Sequence, residues 1–168
     1  MRVILSLLLG VVGFFPVAAT ASEPPVLLIL GDSLSAGYGM DREKSWVSLL
    51  ETRLRESGYS YRILNSSISG DTSQGGLARI SRLLDRYQPE IVIIELGAND
   101  GLRGINPDIT RDNMTSMIQQ SQAIGARVLL AGIKLPPNYG SDYLEKFESI
   151  YEDLANEFGT LLVPFFMD

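Results

Sequence analysis

Three short polar segments, each following an apolar run, hold the side chains in this sequence that could do chemistry. The first, Gly31-Asp32-Ser33-Leu34-Ser35-Ala36-Gly37-Tyr38-Gly39, presents the Ser33 hydroxyl in a glycine-rich turn. The second, Asn65-Ser66-Ser67-Ile68-Ser69-Gly70-Asp71-Thr72, contains Gly70, where the missing Cβ lets a backbone amide approach a ligand closely. The third runs from Gly97 to Pro107 and contains Asn99, whose carboxamide nitrogen carries two donor hydrogens. A hydroxyl able to attack a carbonyl carbon, beside N–H donors able to receive the oxygen that becomes negative, is the minimum equipment for nucleophilic acyl transfer.

Each segment also has a plainer reading. Ser33 could cap a helix, the second segment could be an ordinary strand-to-helix connection in which Asp71 or Thr72 starts the helix, and Asn99 could simply form a turn. Glycine-rich turns after a first strand can also cradle phosphate. Neither G-x-G-x-x-G nor G-x-x-x-x-G-K-[ST] is present, which argues against that use. The serine lies in G-D-S-L-S, outside the G-x-S-x-G elbow of the common α/β hydrolases.

The rest of the pattern indicates what positions these segments. Five apolar runs, Val26–Leu30, Tyr61–Asn65, Ile91–Glu95, Arg127–Ala131 and Thr160–Pro164, lack polar alternation and read as strands buried on both faces of a parallel sheet. Between them, helical spacing places Trp46, Leu49, Leu50 and Leu54 on one stripe of Lys44–Ser57. Ala78, Leu83 and Leu84 do the same in Ser73–Arg86, a helix near Thr110–Ile124 stops at Gly125, and Ser141–Phe158 carries Tyr143, Leu144, Phe147, Ile150, Tyr151 and Leu154. Alternating strands and helices predict an α/β fold with a doubly wound sheet, whose ligands sit beyond the carboxyl ends of the strands. All three polar segments fall there.

The first 21 residues have a basic Arg2, an apolar stretch from Val3 to Phe15 and an A-x-A end at Ala19-Thr20-Ala21. They read as a secretory signal peptide, leaving residues 22–168 as one domain, exported to the periplasm or beyond and without a stable membrane anchor. Cleavage removes one of 14 basic residues and none of 20 acids, so the net charge moves from −6 to −7. An acidic chain without a basic run disfavours nucleic acid as a partner. With no cysteine, disulfides, thiolate metal sites and a cysteine nucleophile are excluded.

G-D-S-L at residues 31–34, Gly70, and G-A-N-D at residues 97–100 resemble the first three sequence blocks of the GDSL, or SGNH, hydrolases. SISGDTSQGGLARI (67–80), ELGANDGLRG (95–104) and LPPNYG (135–140) are similar to its bacterial periplasmic branch of thioesterases, lysophospholipases and arylesterases. The resemblance implies a three-layer α/β/α, flavodoxin-like fold with strand order 2-1-3-4-5. It implies Ser33 as nucleophile, an oxyanion hole from the amides of Ser33 and Gly70 with the Asn99 side chain, and small acyl esters or thioesters as substrates, with no metal or cofactor. Asp32, Asp71 and Asp100 are supporting residues, Asp32 and Asp100 holding their loops through backbone amides. Residues Gly101, Leu102, Arg103 and Gly104 belong to a loop over the acyl chain with Gly101 and Gly104 as pivots, Arg103 being either a substrate contact or a solvated surface arginine.

One block is missing. The family ends in D-x-x-H, which supplies the general base, whereas this chain holds no histidine and ends in LLVPFFMD. The expectation is a C-terminally truncated hydrolase that is nearly inactive as written and exposes apolar surface on one sheet face. The alternatives are a catalytically dead acyl-chain binding module and, more remotely, a flavodoxin-like nucleotide or phosphate binder.

Overall fold

The computed structural model describes residues 23–167; the signal peptide read at residues 1–21 lies outside them, as does Asp168. The strands are β1 (Val26–Gly31), β2 (Arg62–Asn65), β3 (Ile91–Glu95), β4 (Arg127–Ala131) and β5 (Leu161–Val163). All neighbouring strands are parallel, in the order β2-β1-β3-β4-β5. Helices α1 (Ser33–Ala36), α2 (Trp46–Glu56), α3 (Ser73–Tyr87), α4 (Ala98–Leu102), α5 (Pro107–Ala123) and α6 (Ser141–Phe158) complete the alternation. The predicted doubly wound sheet and its order are therefore observed. The short helices α1 and α4 were not anticipated, because single turns leave too few residues for a periodic signal.

Strand side chains divide between the two faces with a period of two. Leu28, Leu30, Val92, Ile94, Val128 and Leu130 join the larger core with residues of α3, α5 and α6. Leu27, Ile29 and Ile93 pack with Val47 and the half-buried Trp46, Leu50 and Leu54 of α2. Beside α2, this second face opens into an apolar groove of about 180 Å³ lined by Leu27, Leu50, Ile91, Ile93, Leu129 and Leu161.

Three expectations need correction. Burial on both faces holds for β1 and nearly for β3, but β2 and β5 are sheet edges whose residues are exposed or half-buried. Their outer neighbours are loops or solvent, so two-sided burial ends with the central strands. In α2, Leu49 points outward at 59 % exposure, and Val47 is the buried residue. In α3, Ala78 is exposed, and Gly76 and Ile80 take the core positions with Leu84.

At the β4 end, Gly132 allows backbone to meet backbone. Its amide donates to Val163 O at 2.8 Å, its carbonyl accepts from Phe166 N at 2.9 Å, and a Cβ there would lie 2.3 Å from Pro164 O. Phe166 in turn packs edge-on against Trp46, with ring centroids 5.1 Å apart. A methyl group at Gly132 must displace backbone, not the end of a flexible side chain. Gly132→Ala is expected to destabilise the fold by about 1–3 kcal/mol. Urea denaturation measures the loss, and faster amide exchange in β5 than in β1 locates it at the sheet edge.

Candidate active site

The first polar segment forms its turn through its own side chains. Asp32, not Ser33, caps α1: its Oδ1 accepts from Leu34 N at 3.0 Å. This leaves Ser33 as the first residue of the helix, half-buried and without a capping duty. Gly37 ends the helix at φ 73°, a conformation that glycine adopts without Cβ strain.

The second segment is tied to the first by Ile68 N, which donates to Gly31 O at 3.0 Å. Asp71 N donates back to Ile68 O at 3.0 Å, closing a turn in which Gly70 sits third with φ 79°. Thr72 caps α3 by accepting from Gly75 N, as one reading of the sequence expected. Asp71 is braced from the side, because Oδ2 accepts from Arg79 Nε at 3.0 Å and Arg79 Nη2 at 2.7 Å. Arg79 Nη1 also donates to Ser66 O.

Asn99 on α4 joins the three segments. Its Nδ2 donates to Asp32 Oδ2 at 3.0 Å and to Asp71 O at 2.9 Å, so both amide hydrogens are engaged. The next residue, Asp100, is buried at the junction of α3, α4 and α5. It accepts from Ser73 N at 2.8 Å, Ser73 Oγ at 2.5 Å and Thr110 Oγ1 at 3.3 Å, while Asn113 Nδ2 donates to the same Ser73 oxygen at 2.9 Å. Asp32 and Asp100 thus both take backbone amides, Asp32 within its own turn and Asp100 from another segment.

The loop residues have more individual roles than the sequence suggested. Gly101 has no positive φ, and a Cβ there would come within 2.4 Å of Leu135, so it is a close-packing position and not a pivot. Gly104 does have the left-handed conformation, with φ 65°. Leu102 is exposed, and its carbonyl accepts from Tyr139 Oη at 3.0 Å. Arg103 is exposed, and its Nη2 donates to Gly70 O at 2.8 Å, bridging the third segment to the second.

A cavity of about 270 Å³ opens at the end of the sheet, lined by Ser33 and Asn99 and, on its apolar side, by Leu102, Leu135, Pro136 and Phe165. The structure therefore brings Ser33, Asp32 and Asn99 together at one cavity. Gly70 and Asp71 stand beside them through the contacts of Asn99 and Arg103. Among the described residues, no group of three or more His, Cys, Asp or Glu side chains is arranged to hold a metal ion.

The sequence reading missed Glu95. It closes β3 with no solvent exposure, and its Oε2 accepts from Ser35 Oγ at 2.6 Å and from Asp32 N at 3.4 Å. Its Oε1 has no hydrogen-bond partner among the described residues. Burial, helped by the negative charge of Asp32, raises the Glu95 carboxyl from its ordinary value of 4.5 to about 7. Asp32 is also raised, chiefly by burial, although its bonds from Leu34 and Asn99 act in the opposite direction. The available signal was an acid ending an otherwise apolar run, I-V-I-I-E, predicted to be buried.

The chain is similar to several known proteins. The model of the GDSL-like lipase/acylhydrolase family matches residues 29–168. The esterase TesA of Pseudomonas aeruginosa is 54 % identical over 142 residues, which cover 84 % of this chain and 71 % of that protein. The thioesterase 1/protease 1/lysophospholipase L1 of Escherichia coli K12 is 48 % identical over 148 residues, covering 88 % and 70 %. The crystal structure of AlinE4, an SGNH-hydrolase family esterase, superposes with a TM-score of 0.82 at 44 % identity, covering 87 % of this chain and 78 % of that one.

Two stability measurements follow from the buried acids. Glu95 binds its proton more tightly folded than unfolded, so its contribution is intact below about pH 4.5 and is lost as pH rises through about 7. Chemical denaturation at about pH 5 and about pH 8 is expected to show a loss on the order of 3 kcal/mol, most of which disappears in Glu95→Gln. A wild-type stability that stays level across this interval would mean that Glu95 ionises freely. Asp100→Ala strands the Ser73 amide and hydroxyl, and should lower stability by about 2–4 kcal/mol in the same assay.

Proposed function

This chain belongs to the GDSL-like lipase/acylhydrolase family, and from that premise we propose that it is a serine hydrolase of carboxylic esters and acyl thioesters acting through an acyl-enzyme on Ser33. The observation that carries the proposal is the Asn99 carboxamide, bonded to both Asp32 and Asp71 at the cavity that Ser33 lines. The three polar segments meet there, with an apolar wall suited to an acyl chain.

In the proposed reaction Ser33 Oγ attacks the carbonyl carbon, and its proton passes to a general base as the C–O bond to the enzyme forms. The carbonyl π electrons move to oxygen, where the amides of Ser33 and Gly70 and the Asn99 side chain donate. The Asn99 hydrogen now given to the neutral Asp71 carbonyl is the one the oxyanion takes over, since a full negative charge is the stronger acceptor. Collapse reforms the carbonyl and breaks the bond to the leaving oxygen or sulfur, which takes the proton back from the base to depart as alcohol or thiol, and water then releases the acid by the same steps. Each such donor contributes about 3–4 kcal/mol to the transition state.

The step lacking a partner is the proton transfer. The 168 residues include no histidine, and we propose that the polypeptide as written is nearly inactive. Loss of such a base lowers kcat by about 10⁶. The apolar cavity beside Ser33 also suits a second reading, a catalytically silent acyl-chain binder. Export of the chain rests on the leader at residues 1–21, and the periplasm is the compartment proposed.

The deciding assay is p-nitrophenyl ester hydrolysis by residues 22–168, beside the same chain extended by a relative's D-x-x-H segment. Only the extended protein is expected to turn over, and Ser33→Ala should abolish that activity. Robust turnover by the unextended chain would mean that a carboxylate such as Asp32 or Asp71 serves as base. Tight fatty-acid binding with no turnover in either form would favour the silent binder.

A further inference from the structure

We propose that Glu95 is a positioning residue for Ser33: from beneath the turn its carboxyl holds Ser35 Oγ and the Asp32 amide, and Trp46 closes the same network from α2. The proposal takes Ser33 as the nucleophile, and so rests on the reading above.

The geometry has four parts. Ser33 is flanked by Asp32 and separated from Ser35 by one residue, and the backbone amide of the first and the hydroxyl of the second both donate to Glu95 Oε2, at 3.4 and 2.6 Å. The turn is therefore gripped on either side of Ser33 by a single oxygen atom. Trp46 Nε1 donates to Ser35 Oγ at 3.2 Å, which orients the hydroxyl so that its own hydrogen points to Glu95. Gly31, opposite Glu95 in the β1–β3 register, leaves the room, because a Cβ there would lie 2.8 Å from Glu95 Oε2 and 2.7 Å from Ser35 Oγ.

Stability alone does not account for a carboxyl in this place. Glu95 is wholly buried with one oxygen unpaired among the described residues, an arrangement that costs free energy compared with an apolar side chain of similar size. What the group supplies is a fixed acceptor under a four-residue helix too short to hold its own shape. The groups facing it are Ser35 from α1, the Trp46 indole from α2, the acidic Asp32 from the β1–α1 turn and, through its field, the Tyr151 hydroxyl from α6. Tyr151 is itself pushed well above its ordinary value by burial and stays neutral, so Asp32 is the charge that acts on Glu95.

Trp46 is the sole tryptophan of the chain, so its indole N–H is a single resolved reporter of the network. In ¹⁵N-labelled protein the Trp46 indole and Ser33 amide signals are expected to shift together with a midpoint of about 7, the value to which Glu95 is raised. In Glu95→Gln both signals should stop titrating in that range and stay near their wild-type positions at low pH, since the amide oxygen can accept the same bonds. In Glu95→Ala the Ser33 amide should be displaced at every pH. Failure of the two signals to titrate together in the wild type would overturn the proposal, and that arm needs no variant to fold.

The catalytic arm uses the histidine-supplied protein of the preceding section. There Glu95→Ala should lower kcat about tenfold or more with KM within about twofold, and Glu95→Gln should restore most of the loss. An alanine variant that keeps its kcat also overturns the proposal. If the histidine-supplied wild type shows no turnover, the hydrolase reading fails by itself, and the spectroscopic arm still decides whether Glu95 holds Ser33.

Discussion

The carboxyl ends of β1 and β3 depend on one placement: the Glu95 side chain sits fully buried against Gly31, its register partner. A bare carboxylate in such a place is expensive. The surrounding chain answers that cost in three ways. Ser35 and the Asp32 amide turn their hydrogens to one oxygen, burial favours the protonated acid, and Gly31 gives up its side chain so that the group fits. These contacts bracket the turn that bears Ser33.

Two further buried acids extend the same principle along the ends of the strands. Asp32 holds the start of α1 and the Asn99 carboxamide, and Asp100 holds the start of α3 and the α5 residue Thr110. Each carboxyl satisfies donors from at least two elements. Shifting one element therefore breaks bonds to its neighbours. Loops that would otherwise move independently become a single rigid edge, which suits a site whose donors must already point at an oxygen before it becomes negative.

Much of the architecture was legible because it depends on local pattern. Apolar runs of about five residues, separated by amphipathic stretches, identified all five strands and the four long helices, and Gly125 marked a real helix end. The errors fall where local pattern stops deciding. Leu49 fits an apolar stripe as well as Val47 does, and only the docking angle of α2 on the sheet turns one outward and the other inward. Gly101 looked like a pivot because glycine is permissive, but here its missing side chain makes room for Leu135, a residue more than thirty positions away.

The sequence by itself determined the parallel α/β layout and the three polar segments at the ends of its strands. Those properties follow from hydrophobic periodicity and from residue types at short spacing, and the family blocks are themselves short and contiguous. Only the tertiary structure decided that Asp32 caps α1 in place of Ser33, that Arg103 reaches Gly70, and that Glu95, Ser35 and Trp46 form one network. These contacts join residues up to sixty positions apart. Hydrogen-bond geometry and the burial of charge depend on where chain segments meet in space, which neither periodicity nor local spacing encodes.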